Sequence, residues 1–161
     1  MKKTFLLSLF LSLSIIFGVS EVRAAAWPGP DTFGYTGTSA TFSWFEISGT
    51  GTNLNLTDDS SSAAQNLGFT FPFYGNNYTQ AYASSNGFIS FGSGSSFFAN
   101  QCPLPSSASP NDLIALIWDD LVPSGSNNVY FQAFGTCPVG PATACAIVEY
   151  NNIPYFSSAG D

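Results

Sequence analysis

The sequence predicts an all-β fold, an antiparallel β-sandwich of the jelly-roll or immunoglobulin-like type, and three observations support this prediction. Aromatic residues make up 16% of the 161 residues and charged residues only 8%, far below the roughly 25% charged residues of an average domain. Runs of alternating apolar and polar residues are separated by turn residues every ~8–12 positions, which is typical of sandwiches and barrels. Outside the N-terminal segment, no stretch has the apolar stripe of an amphipathic helix.

The first half of the body contains four predicted strands. Residues 41–47 alternate and form the first strand, residues 53–56 form the second, and residues 78–84 form the fourth. The third, residues 67–74, has an apolar side chain at every second position, and these side chains share one face: Leu67, Phe69, Phe71 and Phe73. Pro72 lacks a backbone N–H, so this strand is expected at a sheet edge or close to its own end.

Turn residues bound the remaining predicted strands. Gly75-Asn76-Asn77 is a hairpin signal, and Asn86-Gly87 is the strongest turn dipeptide in the chain. Residues 113–118 are continuously apolar, which favours a central strand or one buried on both faces. Four strands are predicted in this half, for a total of about eight: residues 88–91, 113–118, 129–134 and 144–150, with a further strand pattern at residues 153–156.

Residues 1–26 have the order of a secretory signal peptide: a basic start, an apolar stretch and a series of small residues. Cleavage is expected after Ala24 or Ala26. The apolar stretch is about 15 residues long, shorter than the ~20 that a membrane-spanning helix needs. We therefore expect the chain to be secreted to the extracellular space or cell surface, with residues 27–161 as a single domain.

Charge excludes several classes of partner. The three basic residues, Lys2, Lys3 and Arg23, all lie in the signal segment, and Glu21 is the only acidic residue there. Nine of the ten acidic residues therefore remain in the mature chain, with no Lys, Arg or His. Such a chain cannot neutralise the phosphates of DNA or RNA. It has little attraction for anionic lipid, and we expect no membrane insertion of the mature chain.

The same composition excludes most catalytic centres, and we expect no enzyme. Without His or Lys, no Ser-His-Asp, Cys-His or Ser-Lys arrangement can form, and no CxxC pair is present to bind zinc. Asp119, Asp120 and Glu149 could supply the carboxyl pair of a glycosidase. However, neighbours on a strand point to opposite faces, so a structural role at a strand end is the favoured interpretation of Asp119 and Asp120.

Calcium is the one cofactor for which the chain offers candidate ligands. These are Asp58, Asp59, Asp119 and Asp120, with Asp31 as a further acidic side chain. Calcium prefers several oxygen ligands, and an excess of acid without basic partners favours cation binding. No DxDxDG-like loop is present, so solvated turns are the favoured interpretation, calcium is the alternative, and no other cofactor is expected.

Three cysteines in an exported chain predict one disulfide and one unpaired thiol. A Cys137–Cys145 bond is favoured because it would pin a hairpin between the strands at residues 129–134 and 144–150. Pairing of Cys102 with either of the other two is the competing possibility.

Exposed aromatic rings could stack on sugars, although most are expected in the core. A sandwich whose strands are poor in aliphatic residues must fill its interior with rings. The candidates for a glycan-binding surface are Trp27, Tyr35, Trp44, Tyr74, Tyr78, Tyr82, Tyr130 and Tyr155. The sequence assigns no specific binding residue among them.

The last residues of the sequence have the pattern of an incomplete domain. Residues 144–156 are predicted strands, and residues 157–161 form a turn that would lead to another strand. We therefore expect the domain to be incomplete at its C-terminus and the chain to continue beyond Asp161. A complete domain with a short final strand is the alternative.

Four motifs carry a resemblance to a known family: GFTFPFYG at residues 68–75, SSNGFISFG at 84–92, PNDLIA at 110–115 and WDDL at 118–121. Together they resemble an N-terminal β-sandwich module of large bacterial secreted and cell-surface proteins, such as subtilisin-like proteases and adhesin-like chains. More distantly, they are similar to the nidogen-type extracellular domain. The resemblance covers about residues 30–156, and it implies an extracellular accessory or adhesive role with no catalytic residues.

We therefore predict a non-catalytic extracellular or cell-surface accessory module that serves adhesion or binds a protein or glycan within a larger secreted protein. The alternative is an N-terminal appendage of a secreted protease whose catalytic domain lies beyond Asp161. In both cases, further domains of the same chain are expected partners.

Overall fold

The computed structural model describes residues 29–157, which belong to two units, residues 29–40 and residues 41–157. The predicted signal peptide, residues 1–26, lies outside the described residues. In the short unit, Oδ1 of Asp31 accepts the backbone N–H groups of Phe33 at 3.0 Å and Tyr35 at 2.8 Å, as Asp does in turns. Within the described range, no helix is long and apolar enough to cross a membrane.

The larger unit is a β-sandwich of two antiparallel sheets, which confirms the predicted fold class. Its strands are β1 (Thr52–Asn53), β2 (Gln65–Phe73), β3 (Asn76–Ala83), β4 (Phe88–Ser90), β5 (Leu113–Ala115), β6 (Val129–Phe134) and β7 (Cys145–Tyr150). One sheet has the order β1-β6-β7 and the other the order β2-β3-β4-β5. All neighbouring strands run antiparallel.

The core lies between the inner faces of the two sheets. Leu67, Ala81 and Phe91 from the four-stranded side pack with Phe131 of β6, and Val148 of β7 joins them. A second buried cluster is formed by Leu56, Ala83 and Val129. Aromatic rings fill much of this space, since Phe71, Phe73 and Tyr78 all contact the ring of Phe91. This matches the expectation that rings replace aliphatic side chains in the interior.

Strand β2 follows the predicted alternation and edge position. Its odd-numbered residues from Leu67 to Phe73 are buried or half-buried, while Gly68, Thr70 and Pro72 are exposed. The strand lies at the edge of the four-stranded sheet, where the missing N–H of proline costs no ladder hydrogen bond.

The hairpin after β2 turns earlier than the Gly75-Asn76-Asn77 signal indicates. Phe73 pairs with Asn76, which leaves Tyr74 and Gly75 as the two turn residues. Both have positive φ, 45° and 82°, as a two-residue hairpin turn of this hand requires. The two asparagines belong to β3.

Four predicted strands are wrong or much too long, and of the strand predicted at residues 53–56 only Asn53 belongs to a strand. Residues 41–47 form no strand, and residues 153–156 contribute only an isolated bridge between Leu121 and Tyr155. The apolar run at 113–118 forms a strand only up to Ala115, and β5 is an edge strand rather than a central one. Leu116 and Ile117 leave the ladder because both of their N–H groups bind the carbonyl of Gly87, at 3.1 Å each.

A disulfide joins Cys137 to Cys145, with a Cα–Cα distance of 5.2 Å. Phe134, the last residue of β6, is paired with Cys145, the first residue of β7. The disulfide therefore closes the β6–β7 hairpin, as the sequence analysis predicted. Cys102 is a free, exposed thiol, so the competing pairings are not the ones observed.

The hydroxyl of Tyr150 ties the two sheets together. It lies 2.9 Å from the carbonyl oxygen of Ser84 and 2.8 Å from that of Phe88, and it donates its proton to them. Burial raises the pKa of Tyr150 well above its usual value, so the donor persists at every physiological pH. We expect Tyr150→Phe to lower the free energy of unfolding by about 1–2 kcal/mol, the net value of a buried hydrogen bond.

Urea denaturation followed by tryptophan fluorescence measures this loss. Tyr155→Phe is the control, because Tyr155 is 49% exposed, and its replacement is expected to change stability by less than about 0.5 kcal/mol. Equal stability of Tyr150→Phe and the parent chain would show that the hydroxyl does not join the sheets.

Candidate binding site

The turn between β3 and β4 is the centre of the candidate site. The N–H of Ser84 donates to the carbonyl of Phe88 at 2.9 Å, which leaves Ser85, Asn86 and Gly87 as a three-residue loop. Gly87 adopts a φ of +81°, a conformation that glycine reaches without strain. The sequence identified this turn correctly from its Asn-Gly dipeptide.

Asn86 connects the turn to three other segments of the chain. It is fully buried, and its Nδ2 donates to Oδ1 of Asp59 at 2.9 Å and to the carbonyl of Ser96 at 3.1 Å. Its Oδ1 accepts the N–H of Leu121 at 3.0 Å. One amide side chain therefore holds together the loops around residues 59, 96 and 121, a role that its turn propensity does not predict.

The segment after β5 passes directly over this turn. Besides Leu116 and Ile117, which bind the Gly87 carbonyl, Asp119 donates its N–H to the carbonyl of Asn86 at 3.2 Å. Trp118 packs on Phe88 with ring centroids 5.0 Å apart, and its Nε1 donates to the carbonyl of Phe97 at 3.0 Å. The WDDL motif is thus the element that locks the turn in place.

Three carboxylates meet beside this turn. Asp58, Asp59 and Asp120 each have a carboxylate oxygen within 4.8 Å of those of the other two. Of the four predicted calcium candidates, the structure brings these three together. Asp119 lies outside the group, since its Oδ1 accepts the N–H of Asp120 at 2.8 Å. Carboxylate oxygens in such a group could share a divalent cation or contact a basic side chain.

Large apolar side chains are exposed around the same turn. Phe97 and Phe98 stack on each other, and the N–H of Phe156 donates to the carbonyl of Asp120 at 2.8 Å. We call the surface formed by residues 58–59, 96–98, 116–121 and 155–156 the loop end. Its exposed apolar side chains, each between 42% and 66% accessible, are Phe97, Phe98, Leu116, Ile117, Tyr155 and Phe156.

Sequence reasoning identified only part of this surface. Tyr155 and the aspartates were candidates, but Leu116 and Ile117 were assigned to a buried strand and the phenylalanines were not singled out. The other aromatic candidates are dispersed. Tyr130 is buried, Tyr78 and Tyr82 are half-buried, and Trp27 lies outside the described residues. The exposed ones elsewhere are Tyr35, Trp44 and Tyr74.

Glu149, the other carboxylate of the hypothetical glycosidase pair, is placed differently. It is 3% exposed, and its Oε2 accepts the N–H of Ile47 at 2.7 Å. Asp119 lies at the loop end and is occupied by the Asp120 N–H. Both carboxylates have structural hydrogen-bonding roles, which favours the structural interpretation over the catalytic one.

A comparison with models of protein families shows to which family the chain belongs. The model of the family described as "NIDO related" matches residues 34–160. The chain belongs to the NIDO-related family. No curated protein and no solved structure matches the chain significantly.

Membership of the NIDO-related family supports the broader part of the sequence prediction. It agrees with the distant similarity to the nidogen-type domain, and it indicates a non-catalytic module with an extracellular location. The Cys137–Cys145 disulfide is consistent with that compartment. In this NIDO-related domain, the β-sandwich is the scaffold, and the loop end combines three carboxylates with exposed apolar side chains.

Proposed function

We propose that this chain is an extracellular adhesion module that binds a protein partner carrying basic side chains through its loop end. The observation that carries the proposal is the juxtaposition of three carboxylates, Asp58, Asp59 and Asp120, with exposed apolar side chains around one turn. An apolar patch edged by polar groups is a common feature of interaction sites. Placement in a large bacterial surface protein is part of the proposal, supported by the resemblance of the motifs.

Charge complementarity favours a basic partner. The described residues include no Lys, Arg or His, so within this part of the chain Asp58 and Asp59 have no basic side chain with which to form an ion pair. A Lys or Arg side chain from a partner would place a positive charge beside Asp58 and Asp59, while Leu116, Ile117 and Phe156 would pack on the apolar neighbours of that side chain. Such complementarity contributes to partner choice and to the rate of association.

A phage-displayed library of random peptides, selected on the immobilised secreted chain, tests this proposal. We expect enrichment of peptides that combine Lys or Arg with aromatic or aliphatic residues, and weaker binding as salt rises from about 0.05 to about 0.5 M. Asp58→Asn combined with Asp59→Asn should weaken the selected peptides about threefold to tenfold. Asp112→Asn, which removes one charge outside the carboxylate group, is the control and should leave the affinity unchanged.

Two results would contradict the proposal. Full affinity in the double variant would show that the carboxylates do not contact the partner. Failure of every peptide together with binding of an oligosaccharide on a glycan array would identify a glycan ligand instead. Parallel titrations in CaCl₂ and in EDTA examine the calcium expectation, because a cation held by the same carboxylates would weaken the binding of basic peptides.

A further inference from the structure

A strap covers the outer face of the three-stranded sheet. Val129, Phe131, Val148 and Tyr150 face the core, so the alternate residues Tyr130, Gln132 and Glu149 face outward. Residues 44–51, which we call the strap, lie over this outer face. The ring of Phe45 packs edge-on against that of Phe134, with ring centroids 5.8 Å apart. The hydroxyl of Thr50 donates to Oε1 of Gln132 at 2.9 Å. The N–H of Ile47 donates to Oε2 of Glu149.

The strap buries an acid, Glu149, that has no basic partner among the described residues. Ile47 is fully buried and Glu149 is 3% exposed, so the carboxyl group beneath the strap is largely removed from water. An isolated buried carboxylate is strongly disfavoured unless it is paired or protonated. The sequence supplies no Lys, Arg or His after Arg23, so an ion pair with a basic side chain of the mature chain is not available.

A second carboxyl group, that of Glu46, lies on the strap next to Ile47. Glu46 precedes Ile47, whose N–H Glu149 accepts, and each of the two carboxyl groups shifts the pKa of the other. Two carboxyl groups can share a hydrogen bond only when one of them carries a proton. Glu46 also accepts the indole Nε1–H of Trp44 at 3.1 Å and the N–H of Ser48 at 2.9 Å. These donors favour the charged form of Glu46 and leave the proton on Glu149.

Among the described elements packed on Glu149, no other group can take over this proton. Tyr130 of β6 is paired with Glu149 across the strands, and its hydroxyl donates to the carbonyl of Ser126 at 3.0 Å. From β1, the uncharged Asn53 pairs with Tyr130. Glu46 is therefore the charged group that faces Glu149 among the described elements packed on it.

We propose that Glu46 and Glu149 form a pH-sensitive latch, which holds the strap closed while the two carboxyl groups share one proton and loosens it when Glu149 ionises. Ionisation places a buried charge beneath Ile47 and a second negative charge beside Glu46. Opening of the strap lets water solvate both groups. Opening would also uncover the part of the sheet on which Ile47 now packs, so the latch links pH to the exposure of this face.

The direction of both shifts agrees with the latch. Burial, and then the Glu46 carboxylate, raise the pKa of Glu149 above its ordinary value of 4.5. Hydrogen bonds from Ser48 and then Trp44 lower the pKa of Glu46 to about 2. The closed strap is therefore destabilised as pH rises from 4.5 towards the raised pKa of Glu149, and also as pH falls from 4.5 towards about 2. The closed strap is therefore most stable near pH 4.5, where both losses begin.

Amide hydrogen exchange of Ile47, Thr50 and Gly51, corrected for the intrinsic pH dependence of exchange, tests the latch. In the parent chain, we expect the opening constant of the strap to rise up to about tenfold per pH unit above about 4.5, and then to level off at the raised pKa of Glu149. Amides of the β6 backbone are the internal control, because strap opening leaves the β6–β7 ladder intact.

Two variants make the result decisive. Glu149→Gln keeps an acceptor for the Ile47 N–H and a donor for Glu46 but cannot ionise, so its strap should stay closed with a flat profile. Glu46→Gln removes the neighbouring charge, so the profile should level off after a smaller rise. A parent chain with a flat profile, or a Glu149→Gln variant with the same rise as the parent, would overturn the proposal. A rise shared equally by the β6 amides would overturn it as well.

Discussion

Replacing Asn86 with alanine is expected to lower the free energy of unfolding by about 3–5 kcal/mol. The substitution removes three side-chain hydrogen bonds, to Asp59, to the Ser96 carbonyl and from the Leu121 N–H. Of the groups left behind, the N–H belongs to the fully buried Leu121 and the carbonyl to the half-buried Ser96, whereas Asp59 is exposed to water. Each buried polar group without a partner costs about 1–3 kcal/mol. This is a large part of the ~5–15 kcal/mol by which domains are stable. Urea denaturation measures the loss.

Asn128→Ala is a matched control for this variant. Asn128 is 2% exposed and also makes three side-chain hydrogen bonds, two with the backbone of Leu56 and one with the N–H of Val129. Its loss should reduce stability by a similar amount but at a distance from the carboxylate group. Only Asn86→Ala should also weaken the peptides selected on the loop end. Equal binding by the two variants would show that Asn86 does not organise that surface.

Gly87→Ala is expected to be the second severe substitution, with a loss of about 2–4 kcal/mol. A side chain at a φ of +81° is strained by roughly 1 kcal/mol. A Cβ atom would also lie 2.8 Å from Cγ1 of Ile117, 3.0 Å from its carbonyl carbon and 3.1 Å from the N of Trp118. Relief would require the backbone at residues 117–118 to move, and such overpacking costs about 1–3 kcal/mol.

The Gly92→Ala variant separates the strain of a positive φ from the steric overlap with residues 117–118. Gly92 has nearly the same φ, +84°, but a Cβ atom added there would meet no atom within 4 Å. Only the conformational strain should remain, so we expect a loss of about 1 kcal/mol in the same denaturation experiment. If the two alanine variants were equally stable, the close approach of the WDDL segment to the turn would not limit this position.

The loop end and the latch occupy different parts of the sandwich. The loop end is built around the β3–β4 turn of the four-stranded sheet, whereas the latch lies on the outer face of the three-stranded sheet. Their experiments are therefore independent. Peptide binding depends on Asp58 and Asp59, and strap opening depends on Glu46 and Glu149. Failure of one proposal leaves the other in place.

The sequence by itself predicted the β-sandwich and the alternation of β2, and it favoured the Cys137–Cys145 bond over the pairings with Cys102. From Pro72 it also predicted that β2 lies at a sheet edge or ends nearby. Each of these depends on chemistry that is local in the chain. A strand has a side-chain period of two wherever it is placed, proline lacks its N–H in any context, and the two cysteines flank a single short connection. Such features can be recognised before any long-range contact is known.

The tertiary structure decided which residues form the candidate site. Asn86 reaches partners 10, 27 and 35 residues away, and no local pattern specifies those distances. Leu116 and Ile117 continue an apolar run that favours a buried strand, but the Gly87 carbonyl takes their N–H groups and leaves their side chains half-exposed. Glu149 meets Ile47 across 102 residues. Burial and hydrogen bonding of these groups follow from which loops the fold brings together, and only the folded chain determines that.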